Sequence, residues 1–104
     1  MQRVINRKLY DTESAEKIVT YAPNTDRGDF NYLVETLYKT SDGEYFLHGE
    51  GGAATRWAEP IPGGGKTSGA SIETFSEEEA VDWCENREVN GEIIVAEFEE
   101  LIEV

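Results

Sequence analysis

Residues 32–49 contain two short runs of β-branched and aromatic side chains on either side of an Asp42-Gly43 pair. Runs of this composition favour β-strands. An Asp-Gly pair supplies the positive φ angles that a tight hairpin turn requires. The sequence therefore predicts a β-hairpin with Asp42-Gly43 at its turn, and any fold for this chain has to be built around that hairpin.

Three further segments have the composition of strands. Residues 3–10 and 16–21 flank a turn-forming segment, which predicts a second hairpin or pair of neighbouring strands. Residues 71–75 predict a last short strand. Most of the glycines lie in residues 49–70, which predicts a long loop without a pattern of its own.

The pattern changes from strand to helix at Ser76. Ser76 and Glu79 have the spacing of a capping box, in which the serine accepts from a helical N–H and the glutamate reaches back. The residues that follow place apolar side chains three and four apart, which predicts a helix with one stripe facing the sheet. That stripe contains Ala80, Trp83, Cys84 and Arg87.

Asn90-Gly91 interrupts the first helix, and a second amphipathic pattern follows it. Its apolar positions are Ile94, Phe98, Leu101 and Ile102. The β-branched residues 93–95 leave a strand open as the alternative at the start of this segment.

Strands followed by helices are the order of an α+β domain. A chain of 104 residues has the size of one domain, residues 1–104. We expect an antiparallel sheet of about four strands, covered on one face by the two C-terminal helices. Trp83, Phe98 and Leu101 are expected to be buried.

Negative charge is concentrated in the last third of the chain. The net charge is −13. Residues 1–70 contain ten acidic and eight basic residues, whereas residues 71–104 contain twelve acidic residues and one basic residue, a balance of −11. Nucleic acids and anionic membranes would repel such a domain, so its expected partners are basic protein surfaces.

The acidic residues on the outer faces of the two helices are the candidate partner-binding residues. Like charges three and four apart destabilise a helix, so stability alone does not explain them. A solvated acidic face or a halophilic host remains the alternative, although a halophilic origin would enrich acidic residues along the whole chain. The candidates are Glu77, Glu78, Asp82, Glu85, Glu97, Glu100 and Glu103.

Trp57, next to Arg56, is a further candidate for partner binding, because an exposed aromatic residue beside an arginine is typical of a binding hot spot. A fold in which Trp57 covers the core is the equal alternative.

Several classes of site are not expected. Gly65-Lys66-Thr67 matches the end of a phosphate-binding loop, but Pro60 occupies the position of the first glycine, so we expect no nucleotide site. One cysteine, Cys84, and one histidine, His48, exclude an internal disulfide and the usual zinc ligand sets. No metal or other cofactor is expected. The absence of a long apolar run predicts a cytoplasmic protein without a signal peptide or a membrane span.

An enzyme is the alternative function. His48 could act as a general base assisted by Glu50, with the glycine-rich loop approaching a substrate and Lys66 holding an anionic group. A structural histidine and a wide turn are the competing interpretations, and they require no pocket. We therefore expect no catalytic residues.

Motifs spread over most of the chain resemble a family of small proteins carried by phages and other mobile elements. The motifs are residues 8–12 (KLYDT), 15–16 (AE), 29–32 (DFNY), 45–52 (YFLHGEGG) and 76–80 (SEEEA). Residues 60–69 depart from the family pattern, whose loop is shorter, which leaves the role of that loop open. Some small proteins of this genomic setting are anti-CRISPR inhibitors.

The resemblance and the charge together lead to one expectation. The protein would be a small acidic inhibitor whose carboxylates imitate phosphates. It would occupy the basic nucleic-acid-binding surface of a host defence nuclease or surveillance complex.

Overall fold

The computed structural model describes residues 1–103 and contains eight strands, two α-helices and one short 3₁₀ helix. The 3₁₀ helix spans Glu99–Leu101. The other elements are β1 (Gln2–Ile5), β2 (Lys8–Asp11), β3 (Glu16–Asn24), β4 (Leu33–Lys39), β5 (Tyr45–Gly51), β6 (Glu59–Pro60), β7 (Lys66–Thr67), β8 (Gly69–Phe75), α1 (Glu77–Asn86) and α2 (Gly91–Phe98).

The central sheet is antiparallel, with four strands in the order β3-β4-β5-β8. Its middle is the predicted hairpin, in which Lys39 of β4 pairs with Tyr45 of β5. Gly43 has a φ of 83°, and its N–H donates to the carbonyl of Thr40 at 2.9 Å. The predicted turn at Asp42-Gly43 and the α+β class are confirmed.

The N-terminal hairpin differs from the prediction. Residues 3–10 do not form one strand that pairs with residues 16–21. They contain a turn at Asn6-Arg7, where both residues have positive φ (52° and 65°), so β1 and β2 pair with each other. Two consecutive positive φ angles produce the tight turn that fits the twist of a hairpin. β3 is therefore free to pair with β4 in the central sheet.

Helix α1 begins at its predicted cap, and α2 begins after Asn90, which the sequence marked only as the interruption of the first helix. Ser76 and Glu79 form the capping box, with bonds of 2.9 and 3.1 Å, and the Asn90 side chain caps α2 by accepting from the N–H of Glu92. Residues 93–95 are helical, because the Asn90 cap starts a helix that continues through them. The prediction that Leu101 is buried is wrong, since 44% of it is exposed in the short 3₁₀ helix.

The sheet has a hydrophobic core on each face. Trp83, Phe98 and other helix residues pack against Tyr45 and Leu47 on one face. On the opposite face, Phe46 lies under the N-terminal hairpin with Tyr10, Tyr38 and Ile72. This alternation along β5 follows from the period of two in a strand. The helices cover one face as expected, and the β1–β2 hairpin is an additional cover on the other.

Residues 49–70 are less irregular than the sequence indicated. β5 continues to Gly51, β8 already begins at Gly69, and β6 and β7 form a small hairpin between them. The tip of that small hairpin contains three consecutive glycines with positive φ, residues 63–65.

Candidate functional site

Helix α1 carries an exposed acidic surface, which we define as Glu77, Glu78, Glu79, Asp82 and Glu85. All five are exposed, while Ala80, Val81, Trp83 and Cys84 of the same helix are buried against the sheet. Ten residues of α-helix are about 15 Å long. The acidic surface therefore carries on average roughly one negative charge per 3 Å of helix axis, a density close to the one per 3.4 Å of a single DNA strand.

The acidic surface has no internal counter-charge. Within residues 1–103, no ion pair involves any of its five carboxylates. The domain instead uses its basic side chains elsewhere, since five of them form ion pairs with other acidic residues. These five are Lys8, Arg27, Lys39, Arg56 and Arg87. The negative potential outside α1 therefore remains available to a positively charged partner.

The C-terminal candidates divide into two groups. Glu100 and Glu103 are exposed, as predicted, but they do not lie on the second helix, because α2 ends at Phe98, Glu100 is in the 3₁₀ helix and Glu103 follows it. Glu97 is not on the outer face, because its carboxylate accepts from Lys39 Nζ at 2.9 Å and from Tyr45 OH at 2.5 Å, and only 16% of its side chain is exposed. Burial raises the pKa of Glu97, but the hydrogen bonds from Lys39 and Tyr45 lower it by a larger amount. The net pKa of Glu97 is therefore below its usual value. Glu97 joins α2 to the sheet and is withdrawn as a partner-binding residue.

Trp57 is also withdrawn as an exposed binding residue. Its ring is 6% exposed and packs in the core beside α1, where its Nε1 donates to Glu35 at 2.9 Å. The Arg56 guanidinium lies 4.2 Å from the centroid of the Trp57 ring on the outer side. Of the two interpretations that the sequence left open, the fold in which Trp57 covers the core is the one observed.

A buried carboxylate, Glu35, lies at the centre of this core. Its side chain is completely buried and accepts hydrogen bonds from Trp57 Nε1, from Trp83 Nε1 at 3.0 Å and from Arg87 Nε at 3.0 Å. Arg56 lies 3.7 Å from the second oxygen. Glu35 thus links β4 to α1 and to the segment that follows β5, and it fixes the position of the helix that carries the acidic surface.

The Glu35 carboxylate is charged at neutral pH despite its burial. Burial alone raises the pKa of a carboxyl group, but hydrogen bonds from Trp83, Trp57 and Arg87 favour the charged form. The net pKa of Glu35 is below its usual value.

The sequence analysis missed Glu35, although one signal for it was present. The apolar residues Leu33 and Leu37 lie two positions before and after Glu35 in β4. Because residues two apart in a strand share a face of the sheet, Glu35 lies on the same face as these two leucines. A carboxylate at an inward position needs hydrogen-bond donors, and Trp83 on α1 and Arg87 at the C-cap of α1 have the spacing to supply them.

His48 and Glu50 lie on one face of β5, opposite the helices, and Glu50 is already held by a hydrogen bond within the domain. Glu50 accepts from Tyr32 OH at 2.7 Å. Burial lowers the pKa of His48, and the nearby Glu50 carboxylate opposes this effect. An added Cβ at Gly49 would overlap the ring of Trp57, so the close approach that this glycine permits is made by the chain's own tryptophan.

The other chemically reactive residues occupy structural positions. Lys66 and Thr67 form β7, which is followed by β8, where a phosphate-binding loop would require a helix. Cys84 is buried in the core, and burial raises the pKa of its thiol to about 11. Residues 1–103 contain no cluster of three side chains suited to a metal ion. In the same range, no helix is both long and apolar enough to cross a bilayer.

Comparison of the chain with protein-family models, with curated proteins and with solved structures found no match. The functional inference therefore rests on the geometry and the charge described above and, for the class of partner, on the resemblance of the sequence motifs to small phage and mobile-element proteins.

Proposed function

We propose that this protein is a small acidic binding protein, without catalytic activity of its own, that occupies a basic nucleic-acid-binding surface of another protein in the cytoplasm. The observation that carries the proposal is the set of five exposed carboxylates on α1 that form no ion pair, with an average charge density along the helix close to that of a nucleic-acid strand. The partner we propose is a host defence nuclease or surveillance complex, which makes the protein an inhibitor of the anti-CRISPR type.

The distribution of ion pairs supports this proposal. A domain that only needed solubility would gain stability by placing its lysines and arginines among the acidic residues of α1. Instead, Lys39 is paired with Glu97, and Arg87 is paired with the buried Glu35. Helix α1 therefore keeps its full negative charge for an external surface.

The rigidity of the helix also supports the proposal. An interface made by a preorganised element loses less conformational entropy on binding than one made by a mobile loop. Helix α1 is fixed at its N-terminus by the Ser76 capping box and at its C-terminal half by Trp83 and Arg87 on Glu35. Long-range attraction would increase the association rate, and close pairs with lysine or arginine would slow dissociation.

Displacement of DNA from purified CRISPR effector complexes tests the proposal. A fluorescent DNA duplex is bound to each complex of a panel, and the protein is added while fluorescence anisotropy is recorded. We expect displacement from at least one complex, and we expect the variant Glu78→Lys/Asp82→Lys/Glu85→Lys to lose it.

A matched variant controls for total charge. Glu13, Glu16 and Glu59 are exposed residues outside α1, and reversing all three to lysine changes the net charge by the same amount. This control should still displace DNA. If both variants lost DNA displacement equally, the effect would depend on net charge and not on the position of the carboxylates. If the wild-type protein displaced DNA from none of the complexes, the proposal for this class of partner would be overturned.

A further inference from the structure

Asn90 and Gly91, at the start of helix α2, form the only Asn-Gly pair of the chain. Both residues are exposed, and no atom lies within 4 Å of the position that a Cβ on Gly91 would occupy. A residue without a Cβ lets a backbone atom approach a neighbouring group closely. The other four asparagines all precede residues with larger side chains. They are Asn6, Asn24, Asn31 and Asn86. Asn90 is therefore the asparagine whose side chain is most open to attack by the next backbone nitrogen.

The backbone nitrogen of Gly91 is also not engaged by the fold. Among the described residues, 1–103, its N–H donates to no acceptor, as is usual in the first turn of a helix. By contrast, the N–H of the residue after Asn86 donates to the carbonyl of Trp83 at 3.0 Å. The side-chain oxygen of Asn90 accepts from the N–H of Glu92 at 2.8 Å and so caps α2. Position 90 thus combines an open nucleophile with an exposed amide.

We propose that Asn90 is a site of spontaneous modification, at which its side chain loses ammonia. The Gly91 nitrogen gives up its proton to a solvent base and bonds to Cγ of Asn90. The bond from Cγ to the amide nitrogen breaks, and that nitrogen takes a proton from solvent and leaves as ammonia. The product is a five-membered succinimide ring, which water then opens. Cleavage of the ring between Cγ and nitrogen leaves an aspartate, and cleavage between the main-chain carbonyl carbon and nitrogen leaves an isoaspartate.

The start of α2 must open briefly for this reaction. Asn90 has a ψ of 127°, which turns the Gly91 nitrogen away from the side chain. Rotation about this bond brings the nitrogen beside Cγ and moves the side chain out of its cap on Glu92. Helix ends open more readily than helix centres. The rate of modification therefore depends on how often the cap opens, and the inference does not depend on the proposed function.

The two products differ in their effect on α2. An aspartate caps a helix as well as an asparagine does, and its charge is favourable at a helix N-terminus. In an isoaspartate the chain runs through Cγ, and the former main-chain carbonyl becomes a carboxylate outside the chain. That carbonyl accepts from the N–H groups of Ile93 and Ile94 at 3.0 and 3.3 Å. Isoaspartate formation therefore displaces the acceptor of the first turn in the helix that places Phe98 in the core and Glu97 on Lys39.

Mass spectrometry of the full-length protein, kept at mildly alkaline pH and digested at intervals, tests the proposal. The peptide that contains Asn90 should show replacement of NH₂ by OH, and isoaspartyl methyltransferase should methylate part of it. Gly91→Ala should slow the conversion about tenfold, because a methyl group beside the attacking nitrogen crowds the ring that forms. Asn90→Ser is the control, since serine also caps a helix but has no amide to lose.

The wild-type protein unfolded in urea gives the rate without the helix. The folded protein should convert more slowly but measurably, and Asn90 should convert before the other four asparagines. Conversion of the unfolded protein alone, or equal rates for wild type and Gly91→Ala, would overturn the modification site.

Hydrogen exchange of the separated products tests the effect on α2. The amides of α2 should exchange faster in the isoaspartate product than in unmodified protein, and at an unchanged rate in the aspartate product. Equal protection of α2 in the two products would overturn the role assigned to the Asn90 carbonyl.

Discussion

Replacement of Glu35 by glutamine should destabilise the domain strongly, although the two side chains have nearly the same shape. The carboxylate accepts on Oε2 from Trp57 and on Oε1 from Trp83 and Arg87. A glutamine amide has only one acceptor oxygen. Its NH₂ group would therefore face either the Trp57 indole N–H or the donors of Trp83 and Arg87, and a buried donor would lose its partner.

The expected loss of stability follows from these contacts. A hydrogen bond to a charged group contributes about 1.5–3 kcal/mol, and an unsatisfied buried donor costs about 1–3 kcal/mol. We expect Glu35→Gln to lower the free energy of unfolding by about 3 kcal/mol. Since 1 kcal/mol corresponds to about 4–8 °C for a domain of this size, the melting temperature should fall by about 12–24 °C.

Urea denaturation followed by tryptophan fluorescence is the appropriate assay, because both tryptophans, Trp57 and Trp83, donate to Glu35. Glu13→Gln, at an exposed position, is the control and should change the unfolding free energy by less than about 0.5 kcal/mol. A change of that small size in Glu35→Gln would refute the structural role that we assign to the buried carboxylate.

The pH dependence gives an independent check on Glu35. Its pKa in the folded protein is below the ordinary value of 4.5, so its ionised form stabilises the fold fully above that pH. This contribution declines as the pH falls below 4.5 and through the folded pKa. The difference in stability between wild type and Glu35→Gln should therefore shrink on acidification. A difference that stays constant from pH 7 to pH 3 would contradict the assigned pKa shift.

Three further predictions concern other sites. Gly49→Ala should lower the free energy of unfolding by about 1–3 kcal/mol in urea titrations, because the added Cβ would overlap the Trp57 ring. Gly91→Ala is the control and should not be destabilising, because Gly91 has open space around it. Equal stabilities of the two variants would refute the packing account. Ser76→Ala should cost about 1 kcal/mol and reduce helical circular dichroism on mild heating, and an unchanged melting curve would show that the capping box is dispensable. Titration with magnesium–ATP should give no saturable change in tryptophan fluorescence; micromolar binding abolished by Lys66→Ala would show that Gly65-Lys66-Thr67 does bind a nucleotide.

The central hairpin and the start of α1 were predictable because their signals are local. Asp42-Gly43 and Ser76 with Glu79 act through bonds between neighbouring residues, and the structure has both where the sequence placed them. The turn at Asn6-Arg7 was missed, because a positive φ is uncommon at arginine and these two positions lack the glycine that usually marks such a turn.

Burial depends on contacts between distant parts of the chain, and the sequence predicted it less well. Trp57 and Glu35 are 22 positions apart, and nothing between them indicates that an indole and a carboxylate meet. Glu97 was assigned to the outer face by helical spacing, but Lys39 and Tyr45 from the sheet hold it inside. The exposed acidic residues of α1 were predictable, because a helix with a capping box and one apolar stripe has only one possible outer face.

Competition between this protein and nucleic acid for one surface tests the central claim most directly. With a complex that the protein inhibits, the apparent dissociation constant of the labelled protein is measured at increasing concentrations of the complex's DNA target. If the carboxylates of α1 occupy the nucleic-acid groove, binding is mutually exclusive, and the apparent constant rises in proportion to the DNA concentration. An apparent constant that stays unchanged at saturating DNA would place the protein elsewhere on its partner and contradict the account.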